Sequence, residues 1–104
     1  MAEARTWLAR AAETGNTYAQ YSLGVLLATM VDPPELAEAR TWLTKAAEAG
    51  DTDAQYSLGE LLATMVDPPE LAEARTWYTK AAEAGSAEAR DAIKQLGTVE
   101  TLAR

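Results

Sequence analysis

The sequence predicts an all-α solenoid, three helical hairpins stacked side by side as six helices in the order B-A-B-A-B-A. Three observations predict it. Trp7, Trp42 and Trp77 stand 35 residues apart, and a fixed period in the range of about 20–50 residues marks units that each bury a face against the next. Residues 1–35 and 36–70 differ at only seven positions, and residues 71–85 keep the same pattern before it drifts. Apolar residues recur at helical spacing in each copy, and no alternating β-branched run competes.

The B helix opens each unit, over 1–14, 36–49 and 71–84. In the last copy Leu71, Ala74, Trp77, Tyr78, Ala81 and Ala82 fall on one face, with Glu73, Arg75, Thr79, Lys80 and Glu83 mainly opposite. Asp32-Pro33-Pro34-Glu35 and Asp67-Pro68-Pro69-Glu70 read as helix starts. Asp serves as the cap, proline sits where no N–H is needed, and Glu three residues later closes a capping box. Gly15, Gly50 and Gly85 read as the stops, because glycine enters the left-handed region without steric cost.

Asn16, Asp51 and Ser86 follow as caps of the A helices, which are expected to run to about Met30, Met65 and Leu96. Ala54, Leu58, Leu61, Leu62 and Met65 form the apolar stripe, with Met30 and Met65 as core filler at the elbow. Gly24 and Gly59 fall mid-helix, where glycine costs about 1 kcal/mol against alanine. They predict close approach by a neighbouring helix. In the third copy Arg90, Asp91 and Lys94 stand where Gln55, Tyr56 and Gly59 stood, the polar face of a terminal cap. The chain is thus one domain with repeats at 1–35, 36–70 and 71–97 and a tail at 98–104.

Bulk properties narrow the function. A net charge of −7 and a pI near 4.5 disfavour a phosphate backbone or an anionic membrane as partner. Cysteine and histidine are both absent, which removes disulfides, the commonest general base and the commonest metal ligand. No catalytic triad can be assembled, the glycines form no phosphate loop, and the acids never reach EF-hand spacing. No catalytic residue, metal or cofactor is expected. No stretch is long and apolar enough to span a bilayer, and the start has no secretory signal pattern, although a processed chain would look the same.

A resemblance sharpens this. The tetratricopeptide pattern is matched at Leu58-Gly59, Ala39-x3-Leu43 and Ala74-x3-Tyr78, but Gln55 replaces its Trp and Leu62 its Tyr. The run Ala74, Trp77, Tyr78, Lys80, Ala81, Ala82, Glu83, Gly85, with Ala54, Gln55, Tyr56, Leu58 and Gly59 one copy back, resembles the Sel-one-like repeat, a tetratricopeptide relative. The likeness covers residues 1–97, in a frame that opens on a B helix. The elbow departs from the family's usual Gly-x-Gly-Val, having Thr64-Met65-Val66-Asp67-Pro68-Pro69, from which a stiffer elbow is expected. The resemblance implies a right-handed superhelix acting as a scaffold for proteins or peptides, without catalysis.

By analogy with tetratricopeptide arrays, the concave face is lined by Tyr18, Tyr21, Val25 and Thr29, then Asp53, Tyr56, Glu60 and Thr64. Tyr18, Tyr21, Val25, Asp53, Tyr56 and Glu60 are therefore the candidate ligand-binding residues, with a peptide or protein as partner. The three tryptophans are expected in the core, in the seams between units. The Trp7/Leu8 side of the first helix is expected to be uncovered and to favour self-association. The near-identity of the first two copies also fits a consensus-engineered array with no natural ligand.

Overall fold

The tight turns between B and A helices follow directly from three residues apiece. In the computed structural model, which describes residues 2–102, Gly15, Gly50 and Gly85 have φ of 96°, 98° and 108°. The Asn16 N–H donates to the Ala11 carbonyl at 3.1 Å and the Gly15 N–H to the Ala12 carbonyl at 3.1 Å, a Schellman closure. The second and third copies repeat it from Asp51 to Ala46 and from Ser86 to Ala81. The same three residues then cap the following helix. Asn16 Oδ1, Asp51 Oδ1 and Ser86 Oγ accept from the N–H groups of Ala19, Ala54 and Ala89 at 2.8, 2.9 and 3.1 Å. One residue thus closes the turn with its backbone N–H and caps the next helix with its side chain, which leaves little freedom in the hairpin angle.

The helices are α1 (Ala2–Glu13), α2 (Thr17–Thr29), α3 (Leu36–Glu48), α4 (Thr52–Glu60), α5 (Leu71–Glu83) and α6 (Ala87–Leu102), with a π turn at Leu61–Met65 extending α4. No strand occurs among the described residues. Each helix packs on the next in sequence, and α2 also reaches α4. The result measures 45 × 30 × 16 Å, a slab of hairpins in a row and not a closed bundle. Helix α6 continues through Leu102, so helix occupies part of the stretch expected to be a tail. Met1, Ala103 and Arg104 lie outside the described residues.

Leucine and alanine hold the seams. Leu23, Leu27, Leu43, Leu58, Leu61 and Leu62 are all less than 2% exposed, and each such burial stabilises by about 1.5–3 kcal/mol. Glycine lets the seams close: a Cβ on Gly24 would come 2.6 Å from Leu43 Cγ, and one on Gly59 would come 2.7 Å from the Tyr78 ring. Gln20 and Gln55, both buried, donate from Nε2 to the Ala12 and Ala47 carbonyls at 3.1 and 3.2 Å. They tie the A helix to the end of the B helix before it.

Three expectations need correction. The tryptophans do not fill the seams: Trp7 is 70% exposed, while Trp42 and Trp77 are half-buried at the core's margin. Trp42 lies one residue before the buried Leu43, so about 100° of helical rotation turns it away from the seam. Lys45 Nζ lies 4.9 Å from the Trp42 ring centre and Lys80 Nζ 5.5 Å from that of Trp77. Met30 is 64% exposed and fills no core, whereas Met65 is half-buried.

The third correction concerns the elbow. Helices α3 and α5 begin at Leu36 and Leu71, with Glu35 and Glu70 in the capping position and no side-chain cap bond. Asp32 and Asp67 therefore lie too far back to cap; the peptide bonds following them are cis. The glutamates turn outward to the preceding B helix, where Arg5 pairs with Glu35 and Arg40 with Glu70 and Glu73. Glu70 holds the Arg40 guanidinium in its charged form, raising its pKa against a smaller opposing effect of burial. The pairs are about two-fifths exposed, so each adds only about 0.2–1 kcal/mol.

A concave cavity between the second and fourth helices

Helices α2 and α4 lie side by side because α3 is wedged behind them through the Gly24 notch. Their outward faces enclose a cavity of about 310 Å³. Tyr21, Val25 and Thr29 form its α2 wall, while Asp53, Tyr56 and Glu60 form the α4 wall. Leu43 and Leu61 reach it from the seam, Met65 from the π turn, and Glu88 from α6.

Five of the six candidate residues thus converge: Tyr21, Val25, Asp53, Tyr56 and Glu60. Tyr18 does not line the cavity. It is 71% exposed and stands one turn before Tyr21, with ring centres 6.3 Å apart. Thr29 lines the cavity and Thr64 does not, being exposed on the other side of the π turn. Glu88 was absent from the expected set although the signal existed, since a step of 35 residues from Asp53 lands on it.

Met65 had no such signal. Residues 26–35 and 61–70 are identical in sequence, yet α2 ends with the Met30 N–H donating to the Leu26 carbonyl at 2.8 Å, an α bond. The second copy ends with Val66 donating to Leu61 at 3.2 Å, a π bond. Met65 lines the cavity and Met30 does not. Because the local sequence is shared, the difference in the turn comes from outside these ten residues.

The cavity is negative. Asp53, Glu60 and Glu88 line it, and among the described residues no lysine or arginine does. Burial, followed by the charges of Glu60 and Glu88, raises the pKa of the Tyr56 phenol. Behind it Tyr78, its ring centre 5.7 Å from that of Tyr56, is pushed up to about 12 by burial and then by Glu60 and Tyr56. Among the described residues no group of three or more His, Cys, Asp or Glu could hold a metal ion. No helix there is long and apolar enough to cross a membrane.

The same helix-turn-helix unit is found in known proteins. A structure of c5321, a protective antigen of uropathogenic Escherichia coli strains displaying an SLR fold, matches with 35% identity and a TM-score of 0.78 over 86% of this chain. A Sel1 repeat protein from Oxalobacter formigenes matches with 39% identity and a TM-score of 0.79 over 88%. The chain spans 20% and 27% of the length of those two proteins. No curated protein matches it. The Sel1 repeat profile matches residues 1–16, 17–51 and 52–86, each full match running from an A helix into the B helix that follows. With the repeat profile, the hairpin geometry and both structural relatives in agreement, the chain belongs to the Sel1 repeat family.

Proposed function

We propose that this chain is a non-enzymatic scaffold module that binds a segment of a partner protein along its concave face, over Tyr21 and Tyr56. Sel1 repeats are in general protein-interaction modules. What supports the reading for this chain is one observation: a cavity between α2 and α4 bordered by two partly buried tyrosines, Tyr21 and Tyr56. Tyrosine suits such a role because its large ring gives contact area at low entropic cost, while its hydroxyl keeps the site wet when empty. Tyr18, on the adjoining turn, widens the same aromatic surface.

A displayed random-peptide library tests this. Selected peptides are expected to lose binding to the Tyr21→Ala and Tyr56→Ala variants, each checked by circular dichroism for an unchanged fold. Selections that yield only binders indifferent to both variants would remove the groove.

A second reading, association of two copies through α1, is favoured by the exposure of Trp7, at 70%. Sedimentation over a range of concentrations tests it: association is expected in the parent and weakened in Trp7→Ala, and a single monomeric species throughout the range would dismiss it.

A further inference from the structure

We infer that the cavity between α2 and α4 receives an arginine side chain from a basic segment of the partner. This rests on the groove reading above and deepens it. Size comes first. At about 310 Å³ the cavity lies at the lower end of the range of about 300–1,000 Å³ for ligand sites, which suits one long side chain better than a folded-down peptide turn.

Its walls differ in chemistry in a way that matches such a side chain. On the α2 wall Tyr21 and Val25 are aromatic and aliphatic, and Met65, from the π turn that ends α4, adds a further apolar group; these complement an alkyl stem. The α4 wall carries Asp53 and Glu60, and Glu88 faces in from α6. One of the seven differences between the first two repeats contributes directly to this asymmetry: Val25 on the α2 wall corresponds to Glu60 on the α4 wall. Asp53 adds a second carboxylate, whereas its counterpart Tyr18 stands outside the cavity.

Guanidinium fits better than ammonium. A planar fork of N–H donors can pair with carboxylates on more than one wall and stack on a tyrosine face, whereas an ammonium is a compact point charge. Tyr21 and Tyr56 supply those faces. Among the described residues no basic side chain lines the cavity to compete.

The test is a selection from a displayed random-peptide library on the parent chain, followed by binding of synthetic versions to the parent and to Asp53→Asn/Glu60→Gln. Both residues are exposed, so the double variant is expected to fold as the parent does. Selected peptides are expected to be enriched in arginine over lysine. They should bind the double variant about tenfold more weakly, lose a comparable factor when the arginine is replaced by citrulline, and weaken with added salt. Binders that need Tyr21 and Tyr56 but carry no arginine preference, or accept lysine or citrulline equally, would overturn this inference and leave the groove standing. Binders indifferent to both tyrosines would overturn the two together.

Discussion

Gly59 packs directly on Tyr78 across neighbouring helices: a Cβ added to the glycine would meet two ring atoms at 2.7 Å. The contact sets the separation of α4 and α5, and through it the position of Tyr56 over Tyr78. Gly24 and Leu43 repeat the relationship one unit earlier, where an added Cβ would come 2.6 Å from Leu43 Cγ and 3.3 Å from the Ala39 carbonyl oxygen.

Gly59→Ala is therefore expected to destabilise by up to about 2 kcal/mol, overpacking of roughly 1–3 kcal/mol being offset by an alanine propensity gain of about 1 kcal/mol. Gly24→Ala, whose added Cβ would crowd Leu43 Cγ equally, should cost a similar amount. Gly97→Ala, in α6 with nothing within 4 Å of an added Cβ, should stabilise by about 0.5–1 kcal/mol. Urea midpoints of the three variants check the order. A Gly59→Ala protein as stable as Gly97→Ala would contradict the notch.

The two aspartates that resemble caps separate just as sharply. Asp51 Oδ1 accepts from Ala54 N–H, so Asp51→Ala is expected to cost about 0.5–2 kcal/mol. Asp67 stands before a helix that begins at Leu71, and Asp67→Ala should change stability by no more than about 0.5 kcal/mol. Thermal melts of both variants measure the difference, and equal losses would restore the capping role to Asp67.

These residues also mark how far the sequence could be read. The period, the left-handed glycines, the caps after them and the mid-helix notches were all legible, because each follows from backbone chemistry local to a few residues. The elbow was not. Asp-Pro-Pro-Glu satisfies the capping template, but Arg5 and Arg40, thirty residues earlier, draw Glu35 and Glu70 away from it. The π turn at Leu61–Met65 was invisible in principle, since the same ten residues end an α-helix in the first copy. In the cavity, the analogy with tetratricopeptide arrays pointed to residues on both walls and repeat spacing could have added Glu88, whereas Met65 lies on the turn that the sequence did not reveal. Periodicity states which residues are equivalent; it does not state how deeply a given row is buried.

Alkaline pH should expose the coupling of Tyr78 to the fold. Its folded pKa is pushed up to about 12, above an unfolded value of about 10. The folded chain therefore retains a proton that the unfolded chain gives up. Its contribution is intact below about pH 10 and is lost as pH rises towards about 12, on the order of 2 kcal/mol at the upper end. Tyr56, also raised, acts in the same direction. Urea unfolding at a series of alkaline pH values checks the slope, and Tyr78→Phe should flatten it. An unchanged slope in that variant would locate the alkaline loss elsewhere.

The tryptophans offer the most direct test of which rows form the seams. Trp7 is 70% exposed, so Trp7→Ala removes little buried area and should cost less than about 1 kcal/mol. Trp42 is half-buried against the core and has Lys45 over its ring. Its replacement by alanine should cost about 1.5–3 kcal/mol, short of the roughly 3–5 kcal/mol typical of a fully buried indole. Leu43→Ala, at a residue 1% exposed, should cost about 2–5 kcal/mol and exceed both, because it opens the space against Gly24. Denaturation curves for the three variants give the ranking. If Trp42→Ala proved costlier than Leu43→Ala, the indole row and not the leucine row would be the seam between units.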